Sequence, residues 1–406
     1  MKTFGWALVG ALVATGATLG GLGLYIARRL TAPVSERVYD LAIRDIDRSG
    51  DRTILVLDRT SQTVSVGDYC LLLEFGGLVR LTSSVEDRGP TLVGREALLE
   101  PGQLLEIGNR VSWSGIYFLS PEDAGLEATD VEIPTDVGPA PAWLIPGRES
   151  SSNTWGIHIH GLGSHRAGTL RGVQVAAAAG LTSLVVSYRN DGEGPLVDAG
   201  RSALGAAESH DVRAAVCFAR ENGAHQVVLF GWSMGGAIAL QLANESELRD
   251  KVVGVVLDSP VLDWVSTIKA NCARAGLPEW LGALAVPWLS SRPLSRFAGL
   301  QNPIDLRPFD SFARAVELTV AVLVLHGRAD TSVPFELSAG LGTLRPELIS
   351  FEAFDADHTM SWNSDQERWT SVVSSWLERL ATERHRFPRF LRVSPTLLAP
   401  TVTPPV

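Results

Sequence analysis

The run Gly231-Trp232-Ser233-Met234-Gly235-Gly236 constrains the fold of this chain more than any other feature. An unbroken apolar segment, Val227 to Phe230, precedes it, and an apolar segment of helical length, Met234 to Asn244, follows. A strand, a tight turn and a helix are therefore expected in direct succession. In such a turn the serine takes up a strained backbone that lifts its hydroxyl clear of the sheet, while the flanking glycines admit close backbone approach. A bare G-x-S-x-G pattern recurs by chance; the preceding strand, the second glycine and suitable partners downstream give it weight.

A serine hydroxyl becomes a useful nucleophile only when a base removes its proton, and imidazole suits that task near neutral pH. His358, in Asp355-Ala-Asp-His, follows the strand-like run Leu348 to Phe354 and is the expected base. His326 comes earlier but sits beside Asp330, in the loop after the run Val320 to Leu325. Asp330 is expected to hold the far nitrogen of His358, which completes the chain order Ser, Asp, His. Asp258, at the end of the preceding strand, is the rival, and Asp355 and Asp357 read as turn residues. Two backbone donors should face the developing oxyanion: the N–H of Met234, and the N–H of Leu162 within His160-Gly-Leu-Gly-Ser164. His160 itself reads as structural. Gly161-x-Gly163 imitates a dinucleotide fingerprint, but Arg166 stands where the third glycine belongs. No metal-ligand spacing appears, so neither metal nor cofactor is implied.

Around these residues, Val/Leu/Ile-rich runs alternate with helical stretches from about 130 to 385, the pattern of an α/β fold with a doubly wound, mostly parallel sheet. The stretch from about 260 to 312, with Trp264, Trp280, Leu281, Trp288 and Leu289, interrupts the rhythm and reads as a helical cap over the carboxyl edge. Residues 30–125 carry short apolar runs punctuated by Gly and Pro and read as a small β-rich domain. Within it, Asp45, Asp47, Ser49 and Gly50 mimic the start of a calcium loop, yet the twelfth position is Val56 rather than a bidentate Glu, so a polar turn is expected. The tail 386–406 is Pro-rich and reads as unstructured.

Residues 1–29 have another character. Phe4 to Ala27 contains no charged residue, long enough to cross a bilayer core of about 30 Å, and is expected to be a transmembrane anchor. The basic flank Arg28, Arg29 and Arg37 leans towards a cytoplasmic catalytic domain. A net charge of −10 without a basic cluster argues against nucleic acid as a partner. The three cysteines, Cys70, Cys217 and Cys272, are far apart and read as buried free thiols.

The motifs at His160–Gly163, Gly231–Gly236, His326–Asp330 and His358 together resemble the α/β-hydrolase superfamily over about the last two-thirds of the chain. The Ser233 turn is similar to that of monoacylglycerol-lipase-like and serine-aminopeptidase-like members, and Trp232 to prolyl-oligopeptidase-like ones. The resemblance implies a serine hydrolase acting on an ester, thioester or amide through an acyl-enzyme, with a small-molecule ester or a peptide as substrate. Carboxyl-ester hydrolysis on a fairly apolar acyl group is the leading expectation, suggested by the Trp/Leu-rich cap. A serine peptidase is the alternative within the fold, and a membrane-tethered binding protein on an inactive scaffold is the alternative outside enzymology.

Overall fold

The computed structural model describes residues 18–48, 50–147 and 153–386. Two sheets carry it. The first is antiparallel and formed by β1 (Leu41–Ala42), β2 (Asp45–Asp47), β3 (Thr53–Asp58), β4 (Tyr69–Leu73), β5 (Leu78–Asp87), β6 (Leu92–Leu98) and β7 (Arg110–Ser114) in the order β1-β7-β4-β5-β6-β3-β2. The second comprises β8 (Thr129–Thr135), β9 (Gly138–Ile145), β10 (Thr154–Ile159), β11 (Thr182–Val186), β12 (Gln226–Trp232), β13 (Val252–Asp258), β14 (Ala321–Gly327) and β15 (Ile349–Phe354). Its order is β15-β14-β13-β12-β10-β11-β9-β8, with β10 to β15 parallel and the β8–β9 hairpin antiparallel at the edge.

The apolar runs of the large sheet are buried on both faces, so each strand divides its side chains between two cores. Ile157, Leu229, Val255 and Val324 enter one, beneath α3 (Glu208–Glu221) and α4 (Met234–Ala243). Phe230, Trp232, Val256 and Leu325 enter the other, beneath α2 (Leu170–Ala178) and the final helix Gln366–Arg386. The order reverses where β10 lies between β11 and β12, and the crevice at the carboxyl ends there is the usual ligand position in open α/β sheets.

The small sheet closes over its own core of Leu55, Leu57, Tyr69, Leu71, Val79, Leu81 and Trp113. Arg95 is fully buried there, its guanidinium donating to the carbonyls of Thr63, Ser65, Gly67 and Thr82, which holds the 60–67 loop down. Burial lowers its pKa to about 10. Tyr117 and Phe118, just beyond β7, pack against the buried Trp362 of the large sheet's side, tilted and edge-on, at centroid distances of 5.3 and 6.0 Å.

Most of the expected anchor lies outside the described residues. Its described end is helical over 18–30 and rests on the protein: Ala27 is fully buried, and a Cβ at Gly23 would lie 2.3 Å from the carbonyl oxygen of Leu284. Among the described residues no helix is long and apolar enough to cross a membrane. Cys217 corrects the reading of three buried thiols, for it is exposed on α3 while Cys70 and Cys272 are buried. Position 49 and the tail beyond 386 also lie outside the described residues, while Asp45 and Asp47 of the calcium-like run belong to β2.

Candidate active site

Ser233 occupies the single-residue turn between β12 and α4, with φ +52° and ψ −116°. That is left-handed territory a non-glycine residue enters only when its surroundings enforce it. They do so here. The Ser233 N–H donates to the Asp258 carbonyl at 3.0 Å, and its own carbonyl accepts from Val261 and Gly236 at 3.1 and 3.0 Å. The turn leaves no room for side chains beside it: a Cβ at Gly231 would lie 2.5 Å from the Gly235 carbonyl oxygen, and one at Gly235 would lie 2.2 Å from that of Ile159.

His358 sits in the loop after β15, where the Ser233 hydroxyl donates to its Nε2 at 2.9 Å and its Nδ1–H donates to Asp330 Oδ2 at 2.7 Å. A carboxylate can only accept, so Asp330 fixes the proton on Nδ1 and leaves Nε2 as the acceptor for the serine. Asp330 is buried, and its four contacts divide by oxygen. Oδ1 takes the N–H groups of Ser332 and Val333, both at 2.7 Å, and Oδ2 takes His358 and also His326 Nε2–H at 2.9 Å. Burial pushes the carboxyl's pKa up, but the bonds from the two imidazoles outweigh it and hold the group well below the usual carboxylate range. His326 is thus a second donor to the acid, with its Nδ1 accepting from Ser338 at 2.7 Å.

The rival acid Asp258 is also buried but faces elsewhere, accepting from Ser259, Ser361 and Trp369 at 3.2, 3.1 and 3.0 Å. Burial raises its pKa. It reaches the histidine loop at one remove, since Ser259 Oγ accepts the N–H of Thr359 at 2.9 Å. Asp357 is more than a turn residue: its Oδ1 takes the N–H groups of His358 and Thr331, at 2.7 and 2.8 Å, and so ties the histidine loop to the acid loop. Asp355 is exposed and within 3.9 Å of Arg328.

The loop after β10 passes directly beside the serine, and a Cβ at Gly161 would lie 3.0 Å from that of Ser233. Leu162 follows on this loop and Met234 opens α4, and neither backbone N–H is taken by another described group. His160 is buried, donating from Nε2 to Asp191 at 3.0 Å and accepting from Tyr188 at 3.0 Å, which makes it a strut for the loop.

Ser233 and His358 open onto a cavity of about 220 Å³. The insertion between β13 and β14 is helical, led by α5 (Trp264–Arg274), yet none of its residues lines this cavity. Trp264, Leu281 and Leu289 of the insertion are buried and Trp288 packs against the core and α1 (the helix 18–30), whereas Trp280 and Phe297 are exposed. The wall is supplied instead by Trp113 to Ile116 of the small sheet and by Arg37. Asn363 secures that wall, donating from Nδ2 to the carbonyls of Asp68 and Gly115 at 2.7 and 3.1 Å while its Oδ1 accepts from Arg171 at 2.6 Å. Sequence reasoning missed Arg37, Arg171, Trp113 and Asn363, for none carries a local motif.

No curated protein matches the chain in sequence. Among solved structures, an esterase from Pyrococcus furiosus is similar over 64% of this chain and 95% of its own, at 22% identity and TM-score 0.49. A thermophilic esterase from Thermogutta terrifontis is similar over 62% of this chain and 99% of its own, at 20% identity and TM-score 0.43. A serine hydrolase without a lid from Xanthomonas campestris is similar over 63% and 94%, at 15% identity and TM-score 0.42. The model of a family described as alpha/beta hydrolase matches residues 157–399, which takes in the Ser233 turn, both acid-bearing strand ends and His358. With a match over more than half its length, and with the strand order described above, this chain belongs to the alpha/beta hydrolase family.

Proposed function

We propose that the chain is a serine hydrolase that cleaves a carboxylic ester or thioester through an acyl-enzyme, with Ser233 as nucleophile, His358 as general base and acid, and Asp330 as the group that orients the imidazole. The observation that carries this reading is the unbroken relay from Ser233 Oγ through His358 to Asp330, at 2.9 and 2.7 Å. As Oγ attacks the carbonyl carbon its proton passes to Nε2, and the ionised Asp330 stabilises the imidazolium that forms. The oxyanion falls to the N–H groups of Met234 and Leu162, each of which would lower the barrier by about 2.7–4 kcal/mol. The proton on Nε2 then leaves with the alcohol, and a water molecule activated by the same nitrogen releases the acid.

The small cavity favours compact esters over long acyl chains, since pockets for drug-sized ligands run to roughly 300–1,000 Å³. The insertion contributes no apolar side chain to this cavity, so a long apolar acyl group would find no wall of the cap there. A fluorophosphonate probe should label the full chain, and Ser233→Ala should abolish labelling; p-nitrophenyl acetate should be turned over faster than aminoacyl amides. Folded protein that resists the probe would instead be a binding scaffold, and faster amide turnover would make it a peptidase.

A further inference from the structure

The cavity beside Ser233 is lined by positive charge alone. Arg37 and Arg171 line it, and no aspartate or glutamate does. Arg171, on α2, is 4% exposed, and its guanidinium reaches only neutral acceptors: Asn363 Oδ1 at 2.6 Å and the carbonyls of Thr359 and Gly168 at 3.2 and 3.4 Å. Its Nε is buried and has no hydrogen-bond partner. Arg37 lies on the segment between α1 and β1, exposed, and forms no hydrogen bond or ion pair with another described residue. Asp191 and Glu193, which like Arg37 lie close enough to His165 to act on it, are already engaged. Asp191 takes His160, and Glu193 lies 3.2 Å from Arg166 and accepts from Ser187 at 3.1 Å.

Burying a cation without a carboxylate is costly, and the field it projects into a partly enclosed cavity is screened far less than on an open surface. Most buried arginines are paired. The buried Asp258 attracts Arg171 at longer range without bonding to it, and no carboxylate faces Arg37 or Arg171 from the cavity wall, so the cavity is where a ligand could supply one.

We propose, resting on the hydrolase reading, that the site is built for a small ester bearing a carboxylate, which Arg37 receives at the mouth while Arg171 supplies a fixed positive potential from below. The carboxylate is an unreacting part of the substrate. It forms no covalent bond, and its contact with Arg37 selects among esters that the Ser233 relay would otherwise treat alike. Arg37 comes from outside the family-matched region, so the preference is a property of the whole chain.

The test compares two fluorophosphonates on the full chain, identical except that a three-carbon tail ends in a carboxylate or in a neutral carboxamide. The carboxylate probe should label Ser233 about tenfold faster at low salt, the scale of one charge-assisted hydrogen bond. The ratio should shrink as salt rises to roughly 0.5 M, where the screening length falls to a few ångströms. Arg37→Gln should bring the ratio near one, and Arg37→Lys should keep most of it. Equal labelling by the two probes, or a ratio that Arg37→Gln leaves unmoved, overturns the inference while the hydrolase reading stands. Failure of both probes to label folded protein removes the hydrolase reading, and the inference falls with it.

Discussion

Replacing Asp330 by Asn exchanges one oxygen for an amide nitrogen at a position where four donors converge. The side chain could turn either way, but the two backbone N–H groups on Oδ1 cannot change their chemistry, whereas both imidazoles can move a proton. The amide oxygen will therefore stay with Ser332 and Val333, and the amide N–H groups will face His358 and His326. Each ring must then accept at the nitrogen that formerly donated. For His326 the exchange is harmless, since its Nδ1–H can donate to Ser338. For His358 it is not, because Nε2 now carries the proton and cannot take one from Ser233. Turnover of p-nitrophenyl acetate should fall about 10⁴-fold, or about 5.5 kcal/mol of barrier. The fold should survive with a loss of only about 2 kcal/mol, because bonds to a charged acceptor become neutral ones. The sign with pH follows from the carboxyl's depressed pKa. Its contribution is complete above the ordinary carboxylate value and is lost as pH falls towards the native one, so the stability gap between wild type and variant should narrow below about pH 4. Urea unfolding at a series of pH values, beside steady-state kinetics, reads both effects. Activity within tenfold of wild type would refute the reasoning and shift attention to Asp357, whose carboxylate holds the His358 backbone.

Ser233→Gly should be more stable than Ser233→Ala by about 1 kcal/mol, because only glycine adopts φ +52° without strain; equal unfolding midpoints would show that the turn stores none. Asn363→Ala removes three hydrogen bonds, one from the buried Arg171, and should cost about 3 kcal/mol in chemical denaturation and expose the 60–67 loop to protease; a loss below about 1 kcal/mol would mean the small sheet is held by other contacts. His158 is fully buried against Phe230, and burial lowers its pKa to about 3, so it must stay neutral in the fold yet will charge when unfolded. Stability it supports is complete above about pH 6.5 and lost below, by about 2 kcal/mol at pH 5; His158→Phe should flatten the stability curve over that range, and an unchanged slope would place the titration elsewhere.

What could be read from the sequence was local. Val227 to Trp232 is a buried parallel strand, and such strands announce themselves as continuous apolar runs; the chemistry-bearing residues stand at their carboxyl ends, where strand gives way to Gly, Ser or Asp. Ser233, Asp330 and His358 stand at or just beyond such strand ends, and the structure places them within hydrogen-bond reach of one another. Long-range economy could not be read. Asn363 and Asp68 are 295 residues apart, and an asparagine that bridges two sheets looks like any loop asparagine. Trp264 and Leu289 offered the same ambiguity in reverse, since an apolar residue on a short helix suits a lid as well as a core. Both are buried in the core while Trp280 is exposed, and one wall of the cavity beside Ser233 comes from Trp113 to Ile116, in the stretch that composition marks only as β-rich.

The position of that wall bears on how such a protein should be handled. Trp113 to Ile116 and Arg37 precede the first residue of the family match, while the side chains they face, Ser233 and His358, lie well inside it. An expression clone trimmed to the matched residues would keep Ser233, Asp330 and His358 but would begin inside β10 and lose β8 and β9 of the large sheet together with one side of the cavity. Such a fragment would carry the three residues without the sheet edge and the wall that frame them, so the segment before the family match belongs to the folded unit around Ser233.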